Sequence, residues 1–241
     1  GMLFYGTNPN KPNPTNMSDT SKQPTLYGMQ ISAGCRLATW AANISEVAVA
    51  WQEINLMQGE HKTPEFIRMT QGRHCIPALS HTLDDGTVLE MTESRAIARY
   101  LCSIGNGAVA TAFHKAPHLT AQIDELMDYD ATCLYKRIGA IAYSRMGFSS
   151  TPPEEKDFEA MRKSLAYIEA RLSDAGFLVG NTLSIADLNL ANTLSMLNMV
   201  PEIDVAQDFP VTSKWLAHLQ TLGNYAEVVA PFEQFAASKK E

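Results

Sequence analysis

Ser32 and Cys35 stand just ahead of a run in which Leu37, Trp40, Ala41 and Ile44 recur at helical spacing. The short run Thr25–Met29 before them reads as a strand, so both residues sit where a strand turns into a helix. A hydroxyl at that place can cap the helix by satisfying first-turn backbone donors. It can also donate to an anion held at the positive end of the helix. A thiol in the first helical turn would have a lowered pKa and could act as a nucleophile. Glu93-Ser94 opens a second helix, where Ser94 can cap and free N–H groups can hold a carboxylate. The cysteines Cys35, Cys75, Cys102 and Cys133 form no C-x-x-C pair, and spacings of 40, 27 and 31 residues fit no metal knuckle. They read as reduced, mostly buried thiols, and no metal is expected.

The elements that would position these groups follow from periodicity. After the first strand come a helix over 34–44, a strand over 47–55 and a short helical piece at Thr63–Thr70. A strand, helix, strand order of this length implies a parallel pair. Ala78–Thr82 and Thr87–Met91 flank Asp84-Asp85-Gly86, a hairpin turn signal. A helix over 94–104 carries Ile97, Leu101 and Ile104 on one face. Residues 105–119 read as a linker, and everything beyond as helical. Ala121–Met146 is expected as one long helix, and Pro152-Pro153 as the entry to the next, which Gly176 closes. Ser184-Ile-Ala-Asp187 reads as a capping box that Leu183 and Leu188 could staple, and a last helix carries Trp215, Leu216, Leu219 and Leu222. The expected division is a flexible extension at 1–24, a small α/β domain at 25–104, a linker at 105–119 and an all-helical domain at 120–241.

Composition narrows the class. The chain has 241 residues, 45% hydrophobic and 19% charged, enough for a substantial core. A net charge of −7 and a pI near 5.4 argue against a nucleic-acid partner. There is no apolar stretch of the roughly 18 residues a membrane span needs. Residues 1–16 lack a basic leader and an apolar centre and do not read as a signal peptide, so a cytoplasmic location is expected. Gly1-Met2 reads as a tag remnant and Met17 as an alternative start.

Five segments, LYGMQISAGCR, NLMQGEHKTPEF, HCIPAL, MTESRAIARYL and FLVGNTLSIADL, run in order from Leu26 to Leu188. In that order the chain resembles the cytosolic glutathione S-transferases, most of all their theta- and delta-like serine-type classes. The resemblance implies an α/β plus all-α architecture. A thioredoxin-like N-terminal domain is followed by an all-helical C-terminal domain, and two copies form a homodimer. It implies glutathione as co-substrate and a hydrophobic electrophile as second substrate. Glutathione's thiol, near pKa 8.5 when free, must be held as thiolate.

Within that resemblance Ser32 is the catalytic hydroxyl, three residues before Cys35. Tyr27, the rival hydroxyl of tyrosine-type relatives, lies inside the strand and reads as packing. Ile76-Pro77 matches a cis-proline pair whose preceding residue offers its backbone to the cysteinyl part of glutathione, with Cys75 beside it. Glu93, Ser94 and Arg95 match the γ-glutamyl end, and His61 and His74 the glycine end. The stretch Met69–Ile76 is one residue longer than the delta pattern. Asp130 matches a residue that reaches glutathione across the dimer, and Tyr135, Ile138 and Tyr143 match the electrophile pocket. Two alternatives stay open: a non-catalytic module like the one in the elongation-factor gamma subunit, and a glutathione-dependent reductase working through Cys35.

Overall fold

The computed structural model describes residues 22–172 and 176–239. The expected extension therefore lies, up to residue 21, outside the described residues. The first part runs β1 (Thr25–Gly28), α1 (Ala33–Ile44), β2 (Ala50–Glu53), α2 (Pro64–Met69), β3 (Ala78–Thr82), β4 (Val88–Thr92) and α3 (Ser94–Ile104). The strands form one sheet in the order β2-β1-β3-β4, with β1 parallel to β2 and the other neighbours antiparallel. Side chains alternate across it. Leu26 and Leu79 pair on one face and are fully buried with Ala38, Ala42, Ile97 and Leu101 from α1 and α3. Tyr27 and Ala78 pair on the other face, which Ile54, Phe66 and Met69 cover. The β3–β4 hairpin turns at Gly86, whose φ of +83° suits a residue without Cβ. β2 is shorter than expected, since Val47 and Val49 only pack against its cluster from the preceding loop.

The second part contains α4 (Pro117–Tyr129), a π-helical turn at Asp130–Leu134, α5 (Tyr135–Arg145), α6 (Glu155–Arg171), α7 (Ile185–Leu194), a 3₁₀ turn at Ser195–Met199, α8 (Val205–Asp208), α9 (Pro210–Leu219) and α10 (Tyr225–Ser238). Four expectations are corrected. The long helix is continuous in backbone but carries the wide turn at Asp130–Leu134, which apolar periodicity does not encode. Pro152 and Pro153 precede the helix entry, because Glu154 is the N-cap and closes a capping box with Asp157. Helix α6 stops at Arg171, and Gly176, at φ +77°, lies beyond it. The helix with Trp215 ends at Leu219, and α10 follows with Pro231 inside it.

α1 is where the two parts meet. Trp40, fully buried, donates to the Leu222 carbonyl at 3.0 Å and packs edge-on to Tyr225. Asn43 donates to the Gly223 carbonyl at 3.1 Å. From the other side, Asn192 of α7 donates to the Ala33 carbonyl at 2.8 Å.

α7 is buried along its whole length, so its start must be satisfied internally. Asp187 does this. Its carboxylate accepts from the Ser184 N–H and hydroxyl, the Leu178 N–H and the Trp215 indole at 2.8–3.1 Å. Asp187→Ala leaves several buried donors unpaired and removes the cap, so about 2–4 kcal/mol of stability is lost. Urea unfolding followed by circular dichroism checks this, and an unshifted midpoint would refute it.

Candidate functional site

The turn after β1 is closed by the Ser32 N–H on the Met29 carbonyl at 3.0 Å. Ser32 is the extended N-cap of α1 and its carbonyl accepts from the Arg36 N–H, but its hydroxyl makes no cap bond. A helix cap is therefore not what this hydroxyl supplies. Ser32 instead stands at the edge shared by two cavities, a polar one of about 220 Å³ and an apolar one of about 500 Å³. Behind it lies Cys35, 1% exposed. Burial pushes that thiol up to about 11, against smaller opposing hydrogen bonds from the Ser32 hydroxyl and the Met29 backbone. A thiolate is a stronger acceptor than a neutral thiol, so an anion in the cleft would compete successfully for the Ser32 proton. Tyr27 lines neither cavity, and burial on the α2 side raises its hydroxyl pKa.

The polar cavity joins Ser32 to Cys75, the cis Ile76-Pro77 pair, Glu93, Ser94 and Arg95. The first turn of α1 comes close to α3 here because residue 34 is glycine. A Cβ at Gly34 would lie 3.0 Å from Pro77 Cδ and 3.1 Å from Ser94 Cβ. Ser94 is the first helical residue of α3 rather than its cap. The N-cap is Glu93, at φ +73°, a costly conformation for a non-glycine residue. The Ser94, Arg95 and Ala96 N–H groups lie ahead of the first intrahelical bond, from the Ile97 N–H to the Glu93 carbonyl, and form the helix's positive end.

Arg95 donates through Nε to Asp130 Oδ2 at 2.8 Å and makes a second, shorter bond through Nη2. Its guanidinium also lies 5.6 Å from the centre of the Tyr135 ring. Asp130 is fully buried within its own chain and lines neither cavity, so it does not reach outward as expected. Burial raises its carboxyl pKa, and Arg95, Thr193 and Asn189 pull it back. The π turn explains the placement. Five residues separate Asp130 from Tyr135, roughly 140° out of phase in a regular α-helix. The wider turn brings both toward Arg95.

The histidines stand apart. His74 is exposed at φ +52°, and its neighbour Arg73 lines the cavity and pairs with Glu93. The extra residue in Met69–Ile76 was the signal for that shift. His61 lines neither cavity, although its Nδ1 is buried without a hydrogen-bond partner.

Tyr135 and Tyr143 line the apolar cavity, their hydroxyls bonded at 2.6 Å, and burial raises the Tyr143 pKa. Ile138 is fully buried among core residues and does not line it, because the helix face it occupies points into the bundle. The remaining wall includes residues sequence reasoning missed: Arg36, Met57, Met196, Phe232, Phe235 and Lys239. Half of them, Phe232, Phe235 and Lys239, come from α10 and the residue that ends it, where only helical character was legible.

Two family models match: "Glutathione S-transferase, N-terminal domain" over residues 26–108 and "Glutathione S-transferase, C-terminal domain" over residues 112–222. The chain is 28% identical over 193 residues to glutathione S-transferase D7 of Anopheles gambiae, covering 80% of this chain and 84% of that one. Its structure is similar to a delta-class glutathione transferase of Nilaparvata lugens (TM-score 0.76, 27% identity, 90% of this chain and 99% of that one). It is also similar to an epsilon-class enzyme from the housefly Musca domestica (0.77, 25%, 90% and 97%). A Drosophila mojavensis homologue with bound glutathione matches as well (0.73, 25%, 90% and 96%).

The thiols separate by burial. Cys75 and Cys133 are partly exposed, whereas Cys35 and Cys102 are buried with pKa values near 11. At pH 8 a thiol of that pKa is about one part in a thousand thiolate. Ellman's reagent is expected to titrate Cys75 and Cys133 in the native protein, and Cys35 and Cys102 only after denaturation. Fast labelling of Cys35, located by peptide mass, would reverse this assignment and revive Cys35 as a nucleophile.

Proposed function

The chain belongs to the glutathione S-transferase family, and we propose that the Ser32 hydroxyl holds the sulfur of bound glutathione as thiolate while it attacks an electrophilic carbon. The chain is a glutathione transferase. Its reaction joins glutathione to an electrophilic small molecule. In the proposed mechanism the sulfur lies where the two cavities meet, the peptide fills the polar one and the electrophile the apolar one. The observation that carries this reading is the position of Ser32 at that shared edge with its hydroxyl not used as a cap.

The energetics are adequate. A hydrogen bond to a charged acceptor contributes about 1.5–3 kcal/mol. The α1 N-terminus adds about 0.3–1 kcal/mol. Together they lower the thiol pKa by roughly 1–3 units, at about 1.36 kcal/mol per unit. Attack forms the carbon–sulfur bond. A halide leaves from an aryl or alkyl halide, or a proton is taken up after addition to an unsaturated carbonyl. Holding both reactants in one cleft supplies much of the remaining rate.

For glutathione itself, the γ-glutamyl carboxylate is proposed at the α3 N-terminus beside Ser94, its ammonium at Glu93, and the cysteinyl backbone along Ile76. Arg95 is proposed to close that end, held by Asp130 and Tyr135. Arg73, paired with Glu93, lines the same cavity, whereas His74, matched to the glycine end, does not. The working form is proposed to be a cytoplasmic homodimer. Among the described residues no helix is long and apolar enough to cross a membrane. The reductase reading is disfavoured by the buried, high-pKa Cys35.

Ser32→Ala is expected to lower kcat/KM for a chromogenic aryl halide by roughly 10–100-fold, from the loss of about 1.5–3 kcal/mol. The ultraviolet thiolate band of bound glutathione should move to higher pH, with glutathione affinity nearly kept. Unchanged turnover and thiolate titration would remove Ser32 from the mechanism. Asp130→Asn, which loosens Arg95, should raise KM for glutathione by roughly tenfold with kcat within about threefold, the pattern of lost uniform binding. A fall in kcat alone would contradict a positioning role.

A further inference from the structure

The apolar cavity is positively charged. Its lining has two cationic side chains, Arg36 and Lys239, and no carboxylate among the described residues, in a chain whose net charge is −7. Arg36 is 3% exposed. Its guanidinium donates to the Ile31 carbonyl at 2.6 Å and the Ser195 hydroxyl at 3.0 Å and lies 4.1 Å from the centre of the Phe232 ring. None of those partners carries a negative charge. Glu227 and Arg36 both line a smaller cavity of about 250 Å³, yet among the described residues they form no ion pair. A buried guanidinium without a counter-ion is costly, and burial lowers the Arg36 pKa to about 10. Lys239 also lines the cavity, its ammonium 5.4 Å from the centre of the Phe235 ring.

Charge bookkeeping makes this more than a thiolate site. Arg36 and Lys239 contribute two positive charges, and the α1 N-terminus adds about half a charge. A glutathione thiolate at Ser32 supplies one negative charge. A positive surplus remains in a cavity whose other walls are Met, Phe and Tyr side chains. The tyrosine hydroxyls of Tyr135 and Tyr143 add neutral hydrogen-bonding groups to the same wall.

We infer that the preferred electrophiles of this enzyme are apolar or aromatic molecules that themselves carry an acidic group, a carboxylate or sulfonate, paired in the cavity with Arg36 and Lys239. The inference rests on the proposed function, and it adds a substrate class to the same site. The aromatic or alkyl body packs on the Met and Phe wall. The anionic group replaces the counter-ion Arg36 lacks. The reacting carbon then faces Ser32.

The test compares two aryl chlorides of one size, a chloronitrobenzoate and the matching chloronitrobenzamide. In both, chlorine is para to the carboxyl carbon and ortho to the nitro group. Each kcat/KM is divided by the uncatalysed rate with glutathione at the same pH. The carboxylate is expected to be preferred by roughly tenfold or more, the range of one charge-assisted hydrogen bond. In Lys239→Met, a surface change, the preference should fall by about threefold, as for an exposed ion pair. In Arg36→Met it should be abolished. Equal normalised rates in the wild type, or a preference for the amide, would overturn the inference while conjugation itself stood. A second readout needs neither turnover nor the buried variant. Fluorescence titration should show tighter binding of anilinonaphthalenesulfonate than of neutral phenylnaphthylamine, weakened in Lys239→Met. Equal binding of the two dyes would count against the inference even if no electrophile were conjugated, a result that would by itself sink the proposed function.

Discussion

The site depends on one constraint: Ser32, the N-cap of α1, must stay open to the cleft while most of the helix it begins, its first turn included, is buried between the sheet and the helical bundle. Three hydrogen bonds hold it, two of them to the helical part of the chain. Asn192 donates to the Ala33 carbonyl, and Arg36 reaches back to the Ile31 carbonyl and across to Ser195. These bonds fix the backbone on both sides of Ser32. Two of them reach α7 and the 3₁₀ turn after it, so the helical part of the chain helps set the geometry of a residue in the α/β part. The buried capping box at Ser184–Asp187 then acquires a functional consequence, because it anchors the start of the helix that carries Asn192. Stability of one part is thereby coupled to precision in the other.

The two cavities differ in how their charge is balanced. In the polar one, Arg73 pairs with Glu93 and Arg95 with Asp130, so each cation has a carboxylate. The Arg73–Glu93 pair is half exposed and adds little stability. The Arg95–Asp130 pair has a fully buried carboxylate, so losing either member would strand a charge. In the apolar cavity the cations have no such partners. A peptide carrying both an ammonium group and carboxylates suits the first arrangement and a purely anionic group the second, and Ser32 lies at the boundary between them.

Much of this was legible in the sequence where the signal is local. The β1-turn-α1 segment, the hairpin at Gly86, α3 and the Ser184–Asp187 box each follow from a few adjacent residues with strong preferences. The helix starts at Ser32 and Glu93 are recognisable patterns, but their roles came from the family resemblance. What failed was long-range. Nothing near Asp130 in sequence reveals that its carboxylate folds back on Arg95, thirty-five positions away. Ile138 has the right chemistry for a pocket wall, but burial against the bundle is decided by α6 and α7, not by its own segment. Pro231 disguised α10, because proline usually ends a helical pattern. With α10 went Phe232, Phe235 and Lys239, which close one side of the apolar cavity.

The π turn at Asp130–Leu134 shows why such features escape periodicity and why they persist. An inserted residue interrupts the i to i−4 ladder and gains no apolar burial of its own, so no hydrophobic pattern announces it. Its compensation is geometric. With regular α geometry, a carboxylate placed to meet Arg95 would turn Tyr135 away from the cleft, and a Tyr135 facing the cleft would turn Asp130 outward. The wide turn allows both, and Arg95 then receives an ion pair from one and an aromatic face from the other. Tyr135 lines both cavities, so the same turn that steadies the peptide end also shapes the wall against which the second substrate rests. One irregular turn in a long helix thus links the two halves of the cleft.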